Sequence, residues 1–177
     1  MAKSRSEIDA AQLVAEHHRA VYRYAYRLTG SVQDAEDITQ QTFLAAKRKV
    51  GQLRKKGNAK GWLFAILKNC FLKNRMRRHP TLAVDLSLTM DAFAGPPPKE
   101  PGDGDRLQQG LMQLTDASRL VLVMFYFEEC SYREIAERLE IPIGTVMSRL
   151  ARAKGHLRSI LEPEFGRRKR PARVAGE

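Results

Sequence analysis

The sequence is poor in the features that mark secreted, membrane-bound or metal-dependent proteins. It holds two cysteines, Cys70 and Cys130, in 177 residues. Neither has a second Cys or a His at ligand spacing, so no disulfide framework and no metal site are expected. Both read as buried thiols in a reducing compartment. No window approaches 18 uninterrupted apolar residues, so no membrane insertion is expected. The start, Met1-Ala2-Lys3-Ser4-Arg5, lacks the apolar core of a signal peptide, and the expected location is cytoplasmic. The four histidines, His17, His18, His79 and His156, are scattered without an accompanying Cys or carboxylate cluster. There is no P-loop and no nucleophile elbow. An enzyme is therefore not expected, nor a cofactor. Acidic residues are also scarce: 20 Asp plus Glu stand against 31 Lys plus Arg, a net charge of +11. Such a chain usually meets a polyanion, most often nucleic acid.

What is abundant is helical periodicity. A first helix is expected from about Ile8 to Leu28, with Val14, Val21, Ala25 and Leu28 on one face and Gly30 ending it. A second starts after Ser31, a good N-cap. Asp34, Glu36 and Asp37 load its beginning, and Lys47, Arg48 and Lys49 its end, in accord with the helix dipole. Ala35, Thr39, Thr42, Phe43 and Ala46 should face inward. After a Gly- and Lys-rich loop (51–57), a third helix should run from about Asn58 to Arg78, with Trp62, Leu63, Ile66, Leu67 and Cys70 inside. Lys60, Lys68, Lys73, Arg75, Arg77 and Arg78 surround that face with positive charge. His79-Pro80 stops it.

Residues 80–104 read as a linker. Pro96-Pro97-Pro98, Pro101 and three glycines exclude a regular helix from its second half. Leu82, Val84, Leu86, Leu88 and Met90 alternate, which favours an extended segment lying in a groove. A plain disordered tether fits the composition equally well. A second domain (105–162) opens with a short helix carrying Leu107, Leu111 and Leu114, and Thr115 is the next N-cap candidate. The apolar run from Arg119 to Phe127 suits a strand or a central helix; flanking helices favour the helix. The tail, 163–177, carries Arg167-Arg168-Lys169-Arg170, most simply a solvated, disordered end that can add nonspecific phosphate contacts.

Ser131-Tyr132-Arg133-Glu134 is a capping box opening a short helix to Leu139. Glu140-Ile141-Pro142-Ile143-Gly144 makes a tight connection. A basic helix follows to Leu161, with Val146, Leu150, Ala153 and Leu157 inward and Ser148, Arg149, Arg152, Lys154, His156 and Arg158 pointing elsewhere. This is a helix-turn-helix layout, whose second helix can read a major groove through its N-terminal half. The competing possibility is a generic helical hairpin.

Two segments now carry a family resemblance. Asp34-Ala35-Glu36-Asp37-Ile38-Thr39-Gln40-Gln41-Thr42-Phe43-Leu44, then Trp62-Leu63-Phe64-Ala65-Ile66-Leu67-Lys68-Asn69, resembles region two of the extracytoplasmic-function (ECF) RNA polymerase sigma factors. Ser131 to Leu139, then Ile141 to Val146 and Ser148 to Ala153, resembles their region four. The match covers both domains in order. It implies an all-α protein: a region-two helical bundle (1–79) and a region-four helix-turn-helix domain joined by the extended linker. It implies promoter-specific transcription initiation, with core RNA polymerase, promoter DNA and an anti-sigma factor as partners.

The resemblance also implies roles. Asp34, Asp37, Gln40 and Gln41 match positions that dock on polymerase. Lys49, Lys60, Trp62, Asn69 and Lys73 become candidates for reading and melting the minus-ten element. An unstacked base needs a polar pocket, and a single strand needs cations. Trp62 reads more readily as a core residue, and Asn69 equally as an exposed amide. Thr145, Ser148, Arg149 and Arg152 are the minus-thirty-five candidates. The linker would thread toward the polymerase RNA path. Many members carry Arg where this chain has Met147, and Gly where it has Glu140, so a different promoter preference is expected. The rival function, a stand-alone helix-turn-helix regulator, accounts for the second domain and leaves the first without a task.

Overall fold

The computed structural model describes residues 10–53, 58–78 and 103–161. They form seven α-helices: α1 Ala10–Thr29, α2 Val32–Lys49, α3 Ala59–Arg78, α4 Asp103–Met112, α5 Asp116–Phe127, α6 Tyr132–Leu139 and α7 Ile143–Leu161. A short 3-10 turn, Val50–Gln52, follows α2.

The helix ends are set by side chains the sequence advertises. The Ser31 hydroxyl accepts from the Asp34 amide and opens α2. Thr115 accepts from the Ser118 amide and opens α5. At α6 the capping box is complete: the Glu134 amide donates to Ser131 Oγ, and the Ser131 amide donates to the Glu134 carboxylate. Each such cap contributes about 1 kcal/mol. Gly30 ends α1 at φ +68°, its amide donating to the Tyr26 carbonyl. A side chain there would be strained, and its Cβ would lie 2.1 Å from the Met112 sulfur at the end of α4.

Helices α1–α3 make one unit and α4–α7 the other, yet their buried residues form a single hydrophobic cluster. Val21, Tyr24, Ala25 and Leu28 of α1, Ala35 and Ile38 of α2, and Leu63, Leu67 and Phe71 of α3 fill the first half. Leu120 to Met124 of α5 fill the second, with Ile135, Val146, Leu150 and Ala153 from the helix-turn-helix. The apolar run is thus a central helix, and its near-complete burial explains the lack of a clean amphipathic period. Gly110 of α4 lies so close to α7 that a Cβ would sit 2.7 Å from Leu157.

Several expectations change. Val14 is 37% exposed, and Leu13 takes the buried place beside it. Val14 instead lines a shallow groove with His18, Phe43 and the exposed Leu44, at the open end of the α1–α2 pair. Trp62, Cys70 and Phe43 are only partly buried, while Ile38, Phe64 and Phe71 belong to the core. Helix α4 starts at Asp103, inside the segment expected to be linker to residue 104. The alternating stretch 82–90, the Pro-rich stretch and the basic tail lie outside the described residues.

Candidate nucleic-acid and polymerase interfaces

On α2, Asp37, Gln40 and Gln41 are exposed along one side. Asp34, in the first turn, is half-buried and already engaged. Arg78, the last residue of α3, grips its carboxylate with both terminal nitrogens at 2.6 and 3.0 Å. Those hydrogen bonds hold the Asp34 carboxyl below the usual carboxylate range. The four expected docking residues therefore share a helix but not a chemical state. Their fork-to-fork geometry makes Asp34 and Arg78 a directed pair rather than a diffuse attraction.

The minus-ten candidates do not share one face: Lys49 and Lys73 lie near Cys70, while Lys60 stands on the other side of α3, over Phe64. Lys49 ends α2; Lys60, Asn69 and Lys73 are exposed on α3. The Lys60 ammonium lies 5.6 Å from the centre of the Phe64 ring. Trp62 packs against the core, in keeping with the structural role favoured for it.

On α7 the minus-thirty-five candidates divide. Ser148 and Arg152 are exposed, and Thr145 is half-buried. Arg152 donates to the Ser148 carbonyl and hydroxyl, so the two are held together. Met147, beside them, is exposed. Arg149 is only 6% exposed. Expected on the outer face, it instead lies beside α5, α6 and the turn that precedes α7. Arg149 lines a cavity of about 200 Å³ together with Lys68, Asn69, Leu72, Leu120 and Arg138. A minus-thirty-five candidate and a minus-ten candidate thus face one another across the two units. The turn before α7 is held by Glu140 at φ 55°, a left-handed position better suited to Gly.

The polar groups that join the units were not singled out by sequence. The fully buried Tyr24 hydroxyl donates to Glu128, 2.5 Å away. The Glu128 side chain is only 4% exposed and also accepts from Arg138 at 2.8 Å. The Lys68 ammonium donates to the Arg138 carbonyl at 2.7 Å. Burial and the adjoining Glu128 carboxylate push the phenol of Tyr24 well above its ordinary value. They push the Cys130 thiol up to about 11. Cys130 is buried and Cys70 partly so; neither is disulfide-bonded. Arg119 is almost fully buried and donates to the carbonyls of Leu28, Leu111 and Leu114. Leu28 lies in the last turn of α1, where carbonyls lack helical partners, so an arginine from the second unit completes a helix of the first. The available signal was an arginine inside an otherwise apolar run, which must be satisfied if buried.

No metal-binding cluster of His, Cys, Asp and Glu occurs among the described residues. No described helix is long and apolar enough to cross a membrane.

Comparison with known proteins places this architecture. A family model for Sigma-70 region 2 matches residues 13–80, and one for Sigma-70 region 4 matches residues 104–157. The ECF RNA polymerase sigma factor SigE of Mycolicibacterium smegmatis is 35% identical over 85% of the chain. The chain spans 60% of that relative's length. SigW of Bacillus subtilis is 30% identical over 85% of the chain and 88% of its own length. Among solved structures, the sigma factor RpoE in complex with the anti-sigma factor NepR from Bartonella quintana is similar, with a TM-score of 0.64 at 26% identity. That match covers 85% of this chain and 95% of the other. CnrH in complex with the cytosolic domain of CnrY gives a TM-score of 0.56 at 26% identity, covering 88% of both chains.

Proposed function

The chain belongs to the ECF sigma factors, and from that premise we propose that it binds core RNA polymerase and directs initiation at promoters carrying minus-ten and minus-thirty-five elements. Sigma factors are non-enzymatic initiation factors, and the residues described here are arranged for binding and recognition. The observation that carries the reading is the pairing of an exposed polar row on α2 with a capped helix-turn-helix, in the order in which the family places dock and reader.

In this reading Asp34, Asp37, Gln40 and Gln41 meet polymerase. Lys49, Lys60, Asn69 and Lys73 follow the melted minus-ten strand, the lysines neutralising phosphates and Asn69 offering an amide to a base edge. Trp62 supports that surface from beneath. Thr145, Ser148, Arg149 and Arg152 enter the major groove at minus thirty-five. Arginine can pair with guanine through two hydrogen bonds, and hydroxyls fix the register on either base or phosphate. An anti-sigma factor is a further expected partner, since the similar sigma factor RpoE was solved in complex with one. The working compartment is then the cytoplasm.

Transcription from a random promoter library, with purified core polymerase and this chain, tests the reading. Start sites should share two elements upstream, and none should appear with core alone. Tight sequence-specific duplex binding by the free chain, with no effect on polymerase, would instead establish a stand-alone regulator.

A further inference from the structure

The N-terminal half of α7 presents an uncharged surface in a chain of net charge +11. Its exposed residues before Arg152 are Ile143, Gly144, Met147, Ser148 and Ala151, none of them ionisable. Ile143 is 47% exposed and Met147 51%. With Ala151 they recur every fourth residue and share one row along the helix. The polar side chains nearby are drawn back onto the protein. Ser148 Oγ donates to the Thr145 carbonyl at 3.0 Å, and Arg152 donates to the Ser148 carbonyl. The Lys154 ammonium lies 4.4 Å from the centre of the Phe125 ring, and Arg149 is buried. A Cβ at Gly144 or Gly155 would meet nothing within 4 Å, so among the described residues nothing stands over this face at either end of the row.

Such a row cannot read a base through hydrogen bonds. In the major groove the one apolar group on a base edge is the C5-methyl of thymine, while guanine, adenine and cytosine show donors and acceptors. A thioether on an unbranched stem adapts its shape to a small apolar target, and their contact removes apolar surface of both from water. Neighbours in the row are about 6 Å apart along the axis, at 1.5 Å per residue. That is close to two base-pair steps of about 3.4 Å, so Ile143 and Met147 can reach different base pairs. Arg152 and Arg158 are exposed toward the C-terminal end of the same helix. Their charge complements flanking phosphates, which favours DNA over an apolar protein surface as the occupant of this face.

We propose that Met147, supported by Ile143 and Ala151, is a specificity-determining residue that reads thymine methyl groups in the minus-thirty-five element. This role rests on the reading of α7 as the minus-thirty-five helix. The element that the chain prefers then carries thymine, on either strand, under the N-terminal half of α7. Discrimination at that position is by the methyl group and not by a hydrogen bond. Cytosine or uracil in the same place presents a bare C5 edge and leaves the Met147 thioether in water.

Base substitution in a selected promoter tests this. Promoters are chosen from the random library with core polymerase carrying this chain, and each minus-thirty-five thymine is replaced in turn by uracil, which keeps the base pair and removes only the methyl. Affinity of the polymerase complex for the promoter should fall roughly fourfold at the thymine under Met147, the effect of leaving about one methyl's worth of apolar surface in water. Met147→Ala should bind the thymine promoter more weakly by at least that factor and no longer distinguish thymine from uracil there. Met147→Leu should keep the distinction. Far-UV circular dichroism should be unchanged in both variants, since the side chain is exposed. A selected element with no thymine on either strand, equal affinity for thymine and uracil at every position, or undiminished discrimination by Met147→Ala would each overturn the assignment. Weaker binding of Met147→Ala to core polymerase, with discrimination intact, would show that the row covers a protein instead. If no library promoter supports initiation, the sigma-factor reading falls separately. The same thymine-to-uracil comparison on a duplex selected with the free chain then decides the role of Met147, and failure to select any duplex would overturn it.

Discussion

Helices α2 and α7 carry the proposed dock and the proposed reader, and they are presented in opposite ways. The α2 row of Asp37, Gln40 and Gln41 already lies in solvent, and only Asp34 is engaged. On α7, Arg152 and Ser148 are outside while Arg149 is turned into the cavity it shares with Leu120 and Arg138. In the proposed assignment the dock is presented in advance and one of the reader's arginines is withdrawn, a difference that burial sets and net charge does not.

The largest effect that can break this contrast is at Arg119. Arg119→Ala removes the donor to three buried carbonyls, and one unsatisfied buried group alone costs about 1–3 kcal/mol. Urea unfolding should show a loss of about 3 kcal/mol or more, whereas the exposed Arg152→Ala should change stability by less than about 0.5 kcal/mol. Equal losses would mean that burial does not distinguish the two arginines. Next comes the dock. Reversing Asp34 and Asp37 to Lys places cations where a cationic partner is expected, and should weaken core binding by about 2 kcal/mol or more in fluorescence anisotropy. Unchanged affinity would remove α2 from the interface. The reader follows. Within the polymerase complex, Arg149→Ala and Arg152→Ala should each cost roughly 1–3 kcal/mol at promoters where they meet a base edge. Arg149→Ala should in addition alter the compactness of the free chain, and Arg152→Ala should not. The smallest effect is at the turn. Glu140 holds a left-handed backbone, so Glu140→Gly should raise stability by up to about 1 kcal/mol and leave core binding unchanged.

Much of the fold was legible because local chemistry decides it. Ser31, Thr115 and the Ser131–Glu134 box each begin the helix they announce, and the stripe Val146, Leu150, Ala153 and Leu157 is buried as its spacing requires. Where the reading changed, the deciding neighbour lay far away in sequence. Val14 fits the periodicity of α1, but no described helix covers it. Arg149 fits the polar face of α7, but it is buried beside Leu120 of α5 and Arg138 of α6. Asp103 and Gly104 belong to a helix despite following a Pro-rich stretch, because a helix start tolerates what its interior does not. The joint between the units was invisible for the same reason: Tyr24 and Glu128 are 104 positions apart, and neither pattern nor propensity pairs them. The docking and reading assignments came from resemblance, which names positions without saying which are accessible in the unbound chain.

The aromatic cluster at the interface has a bearing on the lifetime of the chain. Tyr24 stacks on Phe64 at 4.7 Å and meets the edge of Phe127 from the other unit. Parting the units without a partner to cover them wets those rings and strands the Glu128 carboxylate without its phenol donor. An opened chain off polymerase therefore presents a sticky, poorly hydrated face of the kind that chaperones and proteases survey. The joint keeps those rings and that carboxylate covered, so variants that loosen it should shorten the protein's persistence in the cell.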